Sequence, residues 1–214
     1  MAKEQAGLPE NRFFFTLTPD TILRALEEAG FEPSGHCLAL NSYENRVYDL
    51  GLEDGTHVVA KFYRPGRWTR EQILEEHRFL ADLRADEIPV CAPLELAGGT
   101  TLGETGGILY AVWPRTGGRV PDELSDEELA MLGRLAARIH NNGAAGKARS
   151  RIELTGGSYG LGPLAFLLEH DFLPGHCRER YAKAVREVVD IYESLREGVP
   201  FHRIHGDCHL GNLL

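Results

Sequence analysis

Apolar residues recur along this chain in two rhythms, and the rhythm changes part-way. Between residues 18 and 30 the spacing is helical. Ile22, Leu23 and Leu26 form one stripe, Thr18 stands as N-cap with Pro19 in the first turn, and Gly30 is the stop. From 36 to 65 the pattern shortens to apolar or alternating runs, HCLAL, NRVYDLGL and HVVAKFY, which predict three strands. Glu53-Asp54-Gly55 is the hairpin turn between the last two, and Pro65-Gly66 breaks the sheet. Thr69 and Gln72 then make a capping box for a helix through about Leu83. Its stripe is Ile73, Glu76/His77, Leu80 and Leu83, so a polar group lies on or beside the buried face. Two more strands are expected near 93–97 and 108–113, turned by Gly98-Gly99 and Gly106-Gly107.

The second half is predominantly helical. TGGR at 116–119 reads as a flexible connector. Ser125 and Glu128 form a second capping box, followed by a core face of Leu129, Leu132, Ala136 and Ile139 and an end at Asn142-Gly143. Residues 147–162 read as a Gly-rich loop, 163–170 as a short helix and 176–197 as a longer one. In the longer helix Tyr181, Val185, Val188, Tyr192 and Leu195 recur at helical spacing. After Pro200 the segment FHRIHGDCHLGNLL is extended. A β-rich part followed by a helical part predicts an α+β protein of two packed lobes, 1–115 and 116–214, rather than a doubly wound sheet. A cleft between lobes is a usual place for a small ligand.

Composition narrows the partners. Of 214 residues, 43% are hydrophobic and 26% charged, as in ordinary globular proteins. Lys and Arg number 23 against 32 Asp and Glu, a net charge of −9. That balance argues against duplex DNA or an anionic membrane as the main partner, but leaves room for a small anion held by local groups. No apolar run approaches the ~20 residues of a membrane span. MAKEQAGLPENR has no signal-peptide core, so a cytoplasmic protein is expected. The four cysteines are scattered, without a CxxC pair, and disulfides are not expected. Cys37 and Cys177 each stand in a Gly-His-Cys tripeptide. Adjacent side chains on a strand diverge and no ligand spacing recurs, so no structural metal is expected either.

The chemistry concentrates at residues 205–212, His-Gly-Asp-Cys-His-Leu-Gly-Asn. A carboxylate followed five residues later by an amide is the spacing of a phosphoryl-transfer loop. Asp207 would sit within reach of an acceptor hydroxyl, and Asn212 would turn back to give an oxygen to Mg²⁺ on the phosphates. Two other readings compete: a polar turn whose histidines satisfy backbone groups, and metal hydrolysis on the alternating His205, Asp207 and His209. The second lacks further ligands to complete a shell.

The first half offers partners. Lys61 is a lone cation in the apolar strand VVAKFY, suited to ATP phosphates with a carboxylate as orienter; the alternative is a strand lysine reaching solvent. The following helix supplies Glu75 and Glu76, of which Glu76 shares the face of Leu80 and Leu83. Asn41 to Arg46 is a polar turn that can cover phosphates with backbone N–H groups and the Ser42 hydroxyl, or be an ordinary hairpin. Tyr110 to Pro114 is the expected hinge. Adenine needs a backbone acceptor and donor, and Pro114 has no N–H, so the donor should be a neighbour such as Trp113 or Arg115.

HGDxHxxN with a strand Lys and a helix Glu resembles the aminoglycoside phosphotransferase/choline kinase group of protein-kinase-like folds. LNSYENRVY, VAKFYRPGRWT, EIPVCAPL, WPRTGGR and LGRLAARIHNNGA make the sequence more narrowly similar to the bacterial stress response kinase A family of Ser/Thr protein kinases. The resemblance implies a two-lobed kinase-like fold, a β-rich N-lobe and a helical C-lobe. It implies an ATP- and Mg²⁺-dependent transfer to protein Ser/Thr hydroxyls. A small-molecule hydroxyl kinase acting on an aminoalcohol is the runner-up, and a non-catalytic nucleotide-binding module the third reading. Carried over by position, Asp207 is the catalytic Asp, Asn212 a Mg²⁺ ligand, Lys61 the phosphate lysine, Glu76 its orienter and Ser42 part of the ATP loop. Trp113 stays the hinge candidate for contact with adenine, and His205 and His209 would brace the loop. A monomer is expected. The family's second Mg²⁺ ligand, an Asp in a DFD-like motif, falls roughly ten residues beyond the Asn. The sequence stops at Leu213-Leu214, so a longer kinase with a truncated C-lobe in this chain is the expectation.

Overall fold

The computed structural model describes residues 14–118 and 121–213. The expectations for MAKEQAGLPENR, for Arg119 in the connector and for Leu214 lie outside them. Helix α1 spans Pro19–Glu28, with the Thr18 hydroxyl accepting from the Thr21 N–H at 3.3 Å. Strands β1 (Pro33–Leu40), β2 (Arg46–Leu52) and β3 (His57–Phe62) follow, then helix α2 (Arg70–Ala85). Strands β4 (Gly103–Thr105) and β5 (Ile108–Pro114) complete an antiparallel sheet of order β1-β2-β3-β5-β4. The Thr69–Gln72 box is formed in both directions, satisfying the two exposed N–H groups that begin α2.

One strand differs from expectation. Residues 93–97 make only a single bridge, Leu96 to Thr100, and the Leu94 N–H donates to the Val112 carbonyl at 2.7 Å. The hairpin partner of β5 is instead the short β4, because Gly106 and Gly107, both at positive φ, turn the chain immediately before Ile108.

Alternation along the strands divides the sheet into two faces. Leu50, Val58, Ala60, Phe62, Tyr110 and Val112 pack under α1 against Ile22, Ala25 and Leu26. The buried Tyr110 hydroxyl donates to the Ala25 carbonyl at 2.7 Å, fixing the helix on that face. The opposite face carries Val47 opposite Lys61, Asp49 opposite Val59, and then Ala111 and Trp113 from β5. Helix α2 covers part of it through Ile73 packed with Tyr63, Ala111 and Leu102.

Beyond the sheet come α3 (Asp126–Ala145), α4 (Gly162–Glu169) and α5 (Gly175–Arg196). The Gly-rich stretch is partly helical, since a π-helical turn at Gly157–Leu161 runs into α4. Helix α3 runs past Asn142-Gly143 to Ala145, and its only buried residue is Gly143. In α5 the expected stripe is turned outward: Val188 and Leu195 are 64% and 78% exposed, while Ala182 and Val189 are buried. The reason is the glycines of the π-turn, because a Cβ at Gly156 or Gly160 would collide with Val189. That close approach selects the stripe one residue along. No helix among the described residues is long and apolar enough to cross a membrane.

Candidate active site

Asp207 and Asn212 are brought together by a tight loop. Gly206 turns at φ 78°, and a 3₁₀ turn at Leu210–Asn212 folds the amide back. The Asn212 Nδ2 donates to the Asp207 carbonyl at 2.7 Å and to its Oδ2 at 3.0 Å. With the nitrogen so committed, Oδ1 of Asn212 remains as an acceptor beside an exposed carboxylate. The two histidines act locally on the loop backbone. His205 Nδ1 accepts from the Asp207 N–H at 3.2 Å, and His209 Nδ1 from the Gly211 N–H at 3.1 Å. Each such bond fixes an amide that would otherwise leave the loop free to open.

Lys61 and Glu76 are not paired. The Lys61 ammonium lies 4.8 Å from the centre of the Tyr63 ring and 5.8 Å from that of Trp113. Among the described residues no carboxylate comes within ion-pair distance of it. Glu76 binds Arg151 at 2.9 Å, whose guanidinium stacks over Trp68 at 4.5 Å. A planar guanidinium can bond the carboxylate and cover the indole together, which an ammonium cannot match. The Lys61 charge therefore rests on aromatic faces, an environment suited to a cation that an anion can still approach.

Trp113 places its ring beside Lys61, but its backbone is used elsewhere. Successive backbone groups of a strand point to opposite sides. The Val112 carbonyl accepts from Leu94, away from β3, whereas the Arg115 N–H donates to the His57 carbonyl across β3 at 3.4 Å. Trp113, paired with Val59, therefore points its N–H toward β3 as Arg115 does. Both donors expected from the sequence belong to the sheet side. By the same alternation, the Pro114 carbonyl at the end of β5 points away from β3.

The 41–45 turn is held by its own polar side chains. Glu44 pairs with Arg67 at 2.6 Å, and Asn45 Oδ1 accepts from the Arg64 N–H at 3.2 Å. Ser42 is half-buried, and Tyr43 at the tip is 93% exposed.

Glu75, passed over on the sequence in favour of Glu76 as the orienter of Lys61, proves to be the buried carboxylate of α2, 7% exposed. It accepts the N–H groups of Arg149, Ser150 and Arg151 at 2.7, 2.6 and 2.8 Å. Burial alone would push its pKa up, but those three backbone donors outweigh it and hold the carboxyl below its ordinary value. Its neighbour His77 bonds the Tyr63 hydroxyl at 3.2 Å and Thr101 Oγ1 at 2.8 Å. No local signal marks Glu75, because its partners lie some 75 positions away.

Residues 36–214 match the phosphotransferase enzyme family (APH), and the chain belongs to that family. It is 39% identical over 202 residues to stress response kinase A of Escherichia coli (strain K12), covering 94% of this chain and 61% of that protein. It is 37% identical over 207 residues to serine/threonine protein kinase RdoA of Salmonella typhimurium (strain LT2), covering 96% and 63%. The chain thus spans about six tenths of the length of these relatives. Among solved structures, the amicoumacin kinase hAmiN in complex with AMP-PNP, Ca²⁺ and Ami superposes with a TM-score of 0.68 at 18% identity, over 90% of this chain and 59% of that one. The spectinomycin phosphotransferase APH(9)-Ia, in complex with ADP and spectinomycin, gives 0.62 at 12% identity, over 90% and 64%. These likenesses define a kinase-like α+β fold.

Proposed function

We propose that the protein is an ATP- and Mg²⁺-dependent kinase that phosphorylates Ser/Thr hydroxyls of proteins in a cytoplasmic stress response. The observation that carries this reading is the Asp207–Asn212 pair, in which the amide nitrogen bonds the carboxylate and the amide oxygen is left as an acceptor beside it. Membership of a phosphotransferase family supports the reaction class, and relatives named stress response kinase A and serine/threonine protein kinase RdoA support the acceptor.

The residues present fit the nucleotide and its metal. Asn212 Oδ1 is a hard oxygen donor of the kind Mg²⁺ takes. Lys61 is a half-buried cation with no carboxylate partner among the described residues, suited to phosphate oxygens, and the Ser42 turn joins β1 to β2 just before Val47, the strand partner of Lys61. The half-buried Val47, Val59 and Trp113 give adenine an apolar seat, with the Pro114 carbonyl as an edge acceptor. Glu76 reaches Lys61 in this scheme only by exchanging Arg151. When bound, Mg-ATP supplies the γ-phosphoryl group and the countercharge for its transfer. Asp207 accepts a hydrogen bond from the acceptor hydroxyl, orients its oxygen and takes its proton as that oxygen bonds the γ-phosphorus and the bond from phosphorus to the departing ADP oxygen breaks. His205 and Asn212 keep that carboxylate in position.

Asp207→Asn tests the assignment in the protein expressed from its own gene. Transfer from γ-labelled ATP should fall by about 100-fold or more while Mg-ATP affinity stays within about twofold. Full transfer by the variant would remove Asp207 from the mechanism. Offering a basic protein and a panel of aminoalcohols in parallel tests the acceptor: label confined to the aminoalcohols would replace the protein-kinase reading.

A further inference from the structure

We infer that the linker end of the sheet holds a transition-metal site in which His36, Asp49 and His57, from three successive strands, bind one Zn²⁺-class ion. The inference is independent of the phosphotransfer reading. The ligand atoms of these three residues lie within 4.8 Å of one another. His57 Nδ1 and Asp49 Oδ1 are 2.7 Å apart, and the two imidazoles face each other at 5.1 Å between centres, tilted by 59°. Tetrahedral zinc with bonds of 2.0–2.1 Å sets its ligands about 3.3 Å apart. His36 is exposed, so its ring has room to turn toward the other two ligands.

The sheet builds this convergence. Asp49 lies one strand from each histidine, and Gly51 leaves the space that His36 fills: a Cβ there would stand 3.0 Å from the His36 Cβ. Asp49 is 4% exposed, an uncommon position for a carboxylate that serves only a surface ion pair. Arg115 Nε holds its Oδ2 at 2.9 Å, which orients the carboxylate and leaves Oδ1 directed at the histidines. The ion takes the place of the proton between Nδ1 and Oδ1, and the neutral imidazole carries its proton on Nε2 instead. Two imidazoles and one carboxylate suit Zn²⁺, Co²⁺ or Ni²⁺ and disfavour Mg²⁺, which takes oxygen ligands. Three protein ligands leave a fourth position for water.

Cobalt tests the site directly. The full chain titrated with Co²⁺ should bind one equivalent with the intense visible bands of four-coordinate cobalt. Zn²⁺ should displace it, and excess Mg²⁺ should not. His36→Ala, an exposed position, should weaken that binding by at least about 10-fold. His57→Gln should do the same. His140→Ala serves as the control, because His140 and His202 form another ring pair at 5.4 Å. Bands that persist in His36→Ala overturn the site, as does an unaltered protein that shows none at saturating cobalt.

Discussion

His77 stands under α2 between two hydroxyls, 3% exposed. Burial, and after it the positive charge of Lys61, lower its pKa from 6.5 to about 4. Burial, then the charge of Glu76, push the Tyr63 hydroxyl up, so that Tyr63 stays protonated beside Nε2 while Nδ1 bonds the Thr101 hydroxyl. The sign of the linkage follows. Below pH 6.5 the unfolded chain takes up a proton that folded His77 refuses until about pH 4, so folding weakens across that interval and levels off beneath it. At 1.36 kcal/mol per pH unit the loss amounts to about 3 kcal/mol. His77→Gln should flatten this part of the profile, seen as a smaller fall in urea-unfolding free energy between pH 7 and pH 4.5. An unchanged fall would place the acid sensitivity in the carboxylates, Glu75 first. Residues of this kind were half legible. The stripe of α2 put a polar group on its buried face, but only the structure shows that Glu75, Glu76 and His77 serve three different partners, because consecutive helical residues point about 100° apart.

At the scale of elements, local chemistry was the more readable part. Thr18, Thr69 and Ser125 cap their helices as their spacing predicts, since a cap is settled within four residues. Strand β4 and the outward stripe of α5 were not readable. The first depends on which of two nearby glycine turns is tight enough for a hairpin, and the second on glycines far away in sequence that let Val189 approach. The contact of α2 with residues 149–151 is long-range in the same sense, and it carries a prediction. Glu75→Ala leaves three backbone N–H groups without their acceptor. Stability should fall by about 2–3 kcal/mol, and limited proteolysis should cut first near Arg149 to Arg151. Glu76→Ala, which removes only a half-exposed ion pair, should cost less than about 1 kcal/mol and leave the cleavage pattern alone.

Across the whole molecule, α2 is where the helical part docks. Arg203 joins them: its guanidinium meets Asp82 at 2.8 Å, covers the Phe79 ring at 4.4 Å and donates to the Asn142 carbonyl at 3.1 Å. Arg138 and Asn142 of α3 add bonds to Asp86, at 2.8 and 2.7 Å. Gly143 permits the approach, because any Cβ there would overlap the Arg203 carbonyl. Arg203 stands only four positions before Asp207, so the clamp that joins the two parts also sets the loop. Arg203→Ala should cost about 2 kcal/mol and increase hydrogen exchange in both 203–212 and the C-terminal turn of α2. Exchange raised in the loop alone would show that α2 is held independently. The passage from a sheet-rich to a helical part was visible in the change of rhythm; the clamp was not, since an arginine in an extended segment has no pattern to betray its partners.

Glu75 grips main-chain amides only, and this frees the stretch it holds from most constraints on side-chain identity. Positions 149 and 150 can change hydrophobicity, charge or size while the carboxylate keeps its three donors. Proline is the exception, because it brings no N–H. Saturation mutagenesis would then return a permissive segment with one forbidden letter at 149 and 150, next to a selective 151 whose guanidinium is separately engaged by Glu76 and Trp68. A surface loop that tolerates rewriting while staying fixed to a buried helix is a natural place to graft a recognition sequence or a reporter without disturbing the fold beneath it.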